Sequence, residues 1–261
     1  MTKQAEIDYM DNIGEEMVKH AVTKPYSDSN RGGLLMEIGA VLALMPPPPV
    51  RVLECGCGTG WTCCLLAKCG YEVTGLDIAP RMIEYAELNR QREGIENLTF
   101  LAADFEDCLF DSEFDCVLFF GSLHHSEDED AALAAAYRAL KPGGAFIASE
   151  PGLGHEKRRV ALDASAKYGV TERDMRPSRI INAGRKAGFG RARVYPRAQM
   201  LSVITYPNES YATEGKLVAF VRKWVLVGPV RTLAAMFLFA VFKRFDGIVV
   251  MRKEPVHEGG A

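Results

Sequence analysis

The chain of 261 residues has no long apolar run near its N-terminus. Residues 1–10 are polar, include Lys3, Glu6 and Asp8, and lack the small-residue cleavage site of a secretory signal. We therefore expect a cytoplasmic protein. General disorder is not expected either, because 48% of the residues are hydrophobic and 25% are charged, as in an ordinary folded domain.

The sequence also lacks the ligand spacing of a structural zinc site. Five of its seven cysteines lie between residues 55 and 69, but no second, distant CxxC motif or histidine pair completes a set of four ligands. We interpret these cysteines as reduced, buried apolar residues and predict no metal site.

Net charge is low overall but unevenly distributed. The formal net charge is −3, yet residues 51–150 carry −11 and residues 151–261 carry +11. This asymmetry favours contact between the C-terminal part and an anionic partner. Basic residues that solvate exposed helix faces would explain the positive charge equally well.

Short apolar segments alternate with helical periodicity, which predicts a mostly parallel α/β sheet. The predicted strands are Val50–Glu54, Tyr71–Leu76, Leu98–Ala102, Phe114–Phe120, Ala145–Ser149, Arg191–Tyr195 and Gly247–Met251. The predicted helices are Ile7–His20, Gly33–Met45, Trp61–Cys69, Pro80–Arg92, Asp128–Leu140 and Pro177–Ala187. We expect a turn at Lys141–Gly144 and a loop from Glu150 to Asp174.

This pattern divides the chain into an N-terminal helical segment over residues 1–49, a sheet domain over 50–199 and 246–253, and a flexible tail over 254–261. An apolar helical insertion over 200–245 separates the last two strands. Three interpretations of its apolar part, residues 216–245, stay open: a lid over the substrate crevice, a surface in contact with the inner membrane face or a lipid-linked substrate, and a homodimer surface. A single membrane crossing is disfavoured, because the last strand must return to the sheet.

A glycine-rich loop follows the first predicted strand. Glycines at positions 56, 58 and 60 let the backbone turn sharply and approach a ligand closely. Trp61 stands where the third glycine of a dinucleotide fingerprint, GxGxxG, would be, so an NAD site is disfavoured. Glu54 precedes the loop and adds a carboxylate at the end of the strand.

Two further acidic positions end neighbouring strands. Asp77 follows the second strand, where a carboxylate can accept hydrogen bonds from ribose hydroxyls. The segment Ala103-Asp104-Phe105 follows the third strand and is suited to an adenine amino group and ring. The carboxyl ends of adjacent parallel strands meet at one edge, so these groups are expected in one crevice.

Through these motifs, together with Phe114–Val117, Leu123–His125 and Leu140–Gly144, the chain resembles the class I S-adenosylmethionine-dependent methyltransferases over residues 50–195 and 246–253. The resemblance implies a Rossmann-like, seven-stranded, mostly parallel sheet with an antiparallel last strand. It also implies methyl transfer from S-adenosylmethionine. The residues that it assigns to the cofactor are Glu54, Gly56, Cys57, Gly58, Gly60, Asp77, Ile78, Asp104, Phe105 and Gly121.

The loop after the fourth strand carries the candidate catalytic residues. His124 or His125 could remove a proton from the methyl acceptor, and we favour His125; alternatively, the pair caps the following helix or only orients the cofactor. Glu150 and His155 are secondary candidates for substrate contact or for the base. No N,N,P,Y-like motif follows this strand, which disfavours methylation of DNA bases.

The sequence therefore predicts an O-methyltransferase for a small-molecule, glycan-linked or lipid-linked acceptor, with no nucleic-acid partner. The alternative is a catalytically idle S-adenosylmethionine-binding protein that acts through its apolar insertion.

Overall fold

The computed structural model describes residues 3–12, 14–198, 233, 236–237 and 246–255. Its helices are α1 (Lys3–Asn12), α2 (Glu15–Val22), α3 (Arg31–Leu44), α4 (Trp61–Lys68), α5 (Pro80–Arg92), α6 (Glu129–Ala139), α7 (Arg159–Tyr168) and α8 (Pro177–Ala187). Its strands are β1 (Arg51–Cys55), β2 (Glu72–Asp77), β3 (Leu98–Ala102), β4 (Phe114–Phe120), β5 (Leu140–Ser149), β6 (Arg193–Tyr195) and β7 (Ile248–Arg252). A short 3₁₀ helix spans Leu123–His125.

The seven strands form one sheet in the order β3-β2-β1-β4-β5-β7-β6. The first five are parallel, whereas β7 runs antiparallel to both β5 and β6. This confirms the predicted Rossmann-like, mostly parallel architecture. Strands β2 and β3 lie on one side of β1, and β4 lies on its other side, so the strand order reverses at β1. The crevice at the carboxyl end of β1 is therefore the expected ligand position.

Both faces of the sheet are buried, and successive side chains of a strand pack into hydrophobic cores on opposite faces. Val117 and Phe119 pack with α6 and α8 on one face, while Leu118 packs with α3 and α4 on the other. All three side chains are fully buried. This arrangement explains why β4 is an almost continuous apolar segment.

The predicted helix over Ile7–His20 is wrong: two helices, α1 and α2, occupy this region. Gly14 precedes α2 with φ −64° and ψ 162°, which is an extended conformation. Glycine favours such a break because a helix restricts its backbone more than that of any other residue. The periodicity of the apolar residues continues through the break and so does not reveal it.

Two other predictions between residues 140 and 174 are wrong. Residues 141–144, predicted as a turn, belong to β5, because Gly143 donates to the Lys253 carbonyl at 2.9 Å and Gly144 accepts from Lys253 at 3.0 Å. A register shift between Phe114 and Cys116 accommodates the extra residues of β5. The predicted loop over 150–174 contains α7, which Gly169 ends in a left-handed conformation.

The predicted apolar insertion over 200–245 lies outside the described residues, except for positions 233, 236 and 237. Within the described part of the chain, no helix has both the length and the apolar character needed to cross a bilayer.

Candidate functional site

A pocket of about 340 Å³ opens at the carboxyl ends of β1, β2 and β4. It falls in the size range of small-molecule sites, roughly 300–1,000 Å³. The structure brings together in its wall the following residues assigned to the cofactor: Glu54, Gly56, Cys57, Gly58, Asp77, Ile78, Asp104, Phe105 and Gly121. His125 lines the same pocket. Gly60, His124, Glu150 and His155 do not.

The three glycines of the loop after β1 have positive φ angles but different surroundings. At Gly56, a Cβ atom would overlap Ser122, and at Gly60 it would overlap Phe100. These two glycines allow close packing inside the protein. Gly58 has φ +54° and no atom within 4 Å of a Cβ position, so its backbone faces open space. A ligand can therefore approach the loop closely at Gly58.

Asp77 is held against the glycine loop. Its Oδ2 accepts a hydrogen bond from the Gly58 N–H at 2.8 Å, and its Oδ1 accepts one from the Ala79 N–H at 3.0 Å. Burial raises the pKa of Asp77, although these two hydrogen bonds counteract the shift. The carboxylate therefore has a fixed position in the pocket, where its remaining lone pairs can accept from a ligand.

Glu54 is a buried carboxyl group in the pocket wall, with 2% of its surface exposed. Burial raises its pKa to about 7, against the opposing hydrogen bonds from the Cys63 thiol at 3.0 Å and from the Thr62 hydroxyl. Glu54 therefore changes its charge near neutral pH, in the wall of the pocket.

The N-terminal helices form a wall of the pocket that the sequence did not indicate. The lining residues from this region are Lys3, Glu6, Tyr9, Met10, Met17, His20, Ala21 and Lys24. The Lys3 ammonium pairs with Asp104 and lies 3.3 Å from a Glu106 carboxylate oxygen. Burial alone would lower the pKa of Lys3, but hydrogen bonds to Asp104 and Asp107 raise it above its ordinary value. These ion pairs hold the N-terminal end of α1 against the part of the pocket that is predicted to bind the adenine.

Phe105 has contacts on both sides. Its ring packs edge-on against Phe119, with 5.2 Å between the ring centroids, and it also lines the pocket. The ring therefore combines core packing with a surface that a ligand can touch.

The loop after β4 places its two histidines differently. His124 is buried, and its Nδ1 lies 2.8 Å from Glu150 Oε2; burial lowers the pKa of His124, while Glu150 opposes this shift. His125 is half-buried, with Nδ1 at 2.8 Å from the Thr171 carbonyl and 3.7 Å from Glu6 Oε2. Burial would lower the pKa of His125, but Glu6 raises it overall.

Glu150 is completely buried behind this loop. Its Oε1 accepts from the N–H groups of Ser122 at 3.0 Å and Leu123 at 2.9 Å. Burial would raise the pKa of Glu150, but the hydrogen bond with His124 and these N–H groups lower it overall. Glu150 thus fixes the loop and does not face the pocket.

His155 pairs with Glu172 at 2.6 Å and packs against His124. Helix α6 is capped by Asp128, which accepts from the N–H groups of Asp130 and Ala131. The alternative that the histidine pair caps this helix is therefore wrong.

Residues 52–144 match the family model described as a methyltransferase domain. Among curated relatives, the S-adenosyl-L-methionine-dependent Diels-Alderase iccD of Talaromyces variabilis is 35% identical over 108 residues, which cover 40% of this chain and 37% of the relative. The ubiquinone biosynthesis O-methyltransferase of Xanthomonas axonopodis pv. citri is 32% identical over 111 residues, covering 42% of this chain and 46% of the relative.

A third relative, the tRNA 5-carboxymethoxyuridine methyltransferase of Escherichia coli K12, is 27% identical over 137 residues, covering 51% of this chain and 52% of the relative. The chain thus spans about half the length, or less, of these relatives. The family model includes the glycine loop and ends at residue 144.

A solved phosphoethanolamine N-methyltransferase 2 from Haemonchus contortus, in complex with S-adenosyl-L-methionine, has a similar fold. Its TM-score is 0.61 at 16% identity, and the match covers 95% of this chain and 60% of that chain.

Proposed function

We propose that this chain, whose residues 52–144 match a methyltransferase domain, is a class I S-adenosylmethionine-dependent methyltransferase that transfers the methyl group to a hydroxyl oxygen of a small-molecule acceptor. The observation that carries this proposal is the pocket in which the glycine loop, Asp77, Glu54 and Asp104 meet. No single one of these groups is specific, but together they offer a backbone cradle and three carboxyl groups to one elongated ligand.

The residues of the pocket fit the parts of this cofactor. Glu54 and the backbone at Gly58 would meet its methionine end, and Asp77 would accept hydrogen bonds from the ribose hydroxyls. Asp104 and Phe105 would meet the adenine, where Lys3 already pairs with Asp104. When bound, the cofactor supplies an electrophilic methyl group on a sulfonium.

In methyl transfer, the main task of the protein is to align the acceptor oxygen with the methyl group. An acceptor oxygen forms a bond to the methyl carbon as the carbon–sulfur bond breaks; the electron pair stays on sulfur, and the hydroxyl proton is released. Alignment of the two reactants lowers the barrier because it replaces a bimolecular encounter. The protein must also favour loss of the hydroxyl proton, and His125 is the histidine of the pair that reaches the pocket wall.

The role of the histidine pair is tested by His125→Ala and His124→Ala. We expect His125→Ala to reduce turnover by about 100-fold or more while cofactor affinity changes little. Full turnover in both variants would remove the pair from the mechanism. Turnover is measured as release of S-adenosylhomocysteine.

The class of acceptor is supported by one relative named as an O-methyltransferase of ubiquinone biosynthesis. Another relative is named for a tRNA nucleoside, so tRNA belongs in the acceptor panel beside phenols, alcohols and carboxylic acids. Methylated tRNA without any methylated small molecule would contradict the proposed acceptor class.

A second candidate is cofactor binding without methyl transfer. It is favoured by the relative named as an S-adenosyl-L-methionine-dependent Diels-Alderase. The two candidates differ in one product, because only methyl transfer forms S-adenosylhomocysteine. Binding of the cofactor with no S-adenosylhomocysteine across the whole panel would support the second candidate.

A further inference from the structure

A cluster of imidazole and carboxyl groups lies behind and beside the pocket. Its members are His124, His125, His155, Glu6, Glu150 and Glu172. They come from α1, the loop after β4, the end of β5 and the segments that flank α7. We call this set the histidine cluster. Three carboxyl groups in contact with three imidazoles give it the composition of a cation site.

Three members of the histidine cluster converge on one point. One ring nitrogen of His124, one of His125 and one carboxylate oxygen of Glu172 all lie within 4.8 Å of one another. Ligands bonded at about 2.0–2.2 Å to a shared ion lie about 3–4 Å apart. These side chains therefore need to move inward by less than about 1 Å to share a cation.

The protonation pattern around His124 leaves a nitrogen lone pair where a cation would be. The ring donates from Nδ1 to Glu150 Oε2 at 2.8 Å, which leaves Nε2 as the unprotonated nitrogen of the neutral ring. This Nε2 faces Glu172 Oε2 at 3.7 Å. Two lone-pair-bearing atoms repel each other at that separation, and a cation between them turns the repulsion into attraction.

Outer partners hold these groups in the manner of metal ligands. Glu150, itself fixed by backbone N–H groups, orients His124, and the Thr171 carbonyl lies 2.8 Å from His125 Nδ1. His155 contacts Glu172 Oε2 through Nε2 at 2.6 Å. Metal-binding histidines and carboxylates generally have such second hydrogen bonds, which set their orientation and basicity.

We propose that His124, His125 and Glu172 bind a divalent transition-metal cation at the edge of the pocket. Two histidines and one carboxylate suit Zn²⁺, Mn²⁺, Fe²⁺ or Co²⁺ and leave coordination positions open. His125 belongs to both the histidine cluster and the pocket wall, so the cation lies within reach of a bound acceptor.

The consequence for catalysis rests on the proposed function. A cation that coordinates the acceptor hydroxyl lowers the pKa of that hydroxyl, so its proton is released to solvent and the oxygen becomes a better nucleophile. A nitrogen that ligates the cation cannot accept a proton at the same time. In the metal-bound protein, the cation therefore replaces His125 as the means of activating the hydroxyl.

The test uses the full chain after removal of metal with a chelator, titrated with Zn²⁺ or Co²⁺ alone and followed by calorimetry and by the visible absorption of Co²⁺. We expect one equivalent to bind to the wild-type protein. His125→Asn and Glu172→Gln should weaken binding about 100-fold or more, and His155→Asn, which removes only an outer partner, about 10-fold. Asp163→Asn is the control and should bind the metal as the wild type does, because Asp163 lies outside both the histidine cluster and the pocket wall and pairs with exposed Arg159.

Absence of one-equivalent binding of either metal to the wild-type protein would overturn the proposal, and so would equal affinity in His125→Asn, Glu172→Gln and the wild type. Circular dichroism confirms that each variant is folded before titration. Metal binding is measured without cofactor or acceptor, so a failure of the proposed methyl transfer leaves its outcome unaffected.

Discussion

The Asp77 carboxylate accepts a hydrogen bond from the backbone N–H of Gly58 at 2.8 Å. This contact joins the end of β2 to the loop after β1, and it places a carboxylate beside the one glycine of the loop that faces open space. The proposed cofactor pocket is built around this pair.

Asp77→Ala should reduce affinity for S-adenosylmethionine and S-adenosylhomocysteine by about 30-fold or more. The variant removes the proposed acceptor for the ribose hydroxyls and also leaves the Gly58 N–H without its acceptor. Isothermal titration calorimetry measures the change. Asp163→Asn on the exposed face of α7, where Asp163 pairs with exposed Arg159, should leave affinity unchanged.

Gly58→Ala should abolish most cofactor affinity, because its Cβ would enter the space proposed for the cofactor. Gly94→Ala is a closely matched control: Gly94 has φ +62°, close to the +54° of Gly58, and its Cβ would also meet no atom within 4 Å, but it does not line the pocket. In both variants the free energy of unfolding should fall by about 1 kcal/mol, because alanine is strained in the left-handed conformation. If Gly58→Ala and Gly94→Ala reduced cofactor affinity equally, the cofactor would not bind beside Gly58.

Cofactor affinity should increase as pH rises through about 7, the pKa of Glu54. The ionised carboxylate attracts the ammonium at the methionine end of the cofactor, and the protonated form does not. In Glu54→Gln this pH dependence should disappear, and the affinity at about pH 8 should fall by about 10-fold or more. Cofactor affinity is measured in the wild type and in Glu54→Gln at pH values on both sides of about 7. If the variant keeps the pH dependence of the wild type, Glu54 is not the source of that dependence.

The same group should destabilise the cofactor-free protein at high pH. Folding raises the pKa of Glu54 from 4.5 to about 7, so the folded state binds more protons between these values and its stability falls as pH rises through them. The penalty is absent below about pH 4.5 and complete above about pH 7. At about pH 8, the free energy of unfolding of Glu54→Gln, measured with urea, should therefore exceed that of the wild type by up to about 3 kcal/mol. At low pH the two proteins should be equally stable.

Glu150→Ala should lower the free energy of unfolding by about 3–5 kcal/mol, because it leaves buried N–H groups of the loop after β4 without an acceptor. Urea unfolding at neutral pH measures the loss. Exposed Glu156→Ala should change stability by less than about 0.5 kcal/mol. A loss below about 1 kcal/mol in Glu150→Ala would mean that Glu150 does not hold the loop.

The sheet and the glycine loop were predictable because their signals are local. Strand positions follow from short apolar segments, and the carboxyl ends of parallel strands bring Glu54, Asp77 and Asp104 to one edge whatever the loops do. Errors arose where a tertiary contact overrides local pattern. The hydrogen bonds between Lys253 and residues 143–144 convert a Pro-Gly-Gly turn motif into strand, and they join segments more than 100 positions apart.

The wall formed by α1 and α2 could not be predicted for the same reason. Nothing in the sequence connects Lys3 with Asp104 or Glu6 with His125, since the contacts depend on how the N-terminal helices pack on the finished sheet. The histidine cluster was missed because Glu172 follows His125 at no recognised ligand spacing. The prediction of no metal site considered the cysteines, whose spacing carries the familiar zinc signals.

Titration of S-adenosylhomocysteine and, separately, NAD⁺ into the purified full chain at about pH 8 tests the central claim most directly. Our account predicts one binding site for S-adenosylhomocysteine, with a Kd between about 1 µM and 1 mM, and no measurable binding of NAD⁺. Binding of NAD⁺ instead, or no binding of S-adenosylhomocysteine to a protein that circular dichroism shows to be folded, would contradict it.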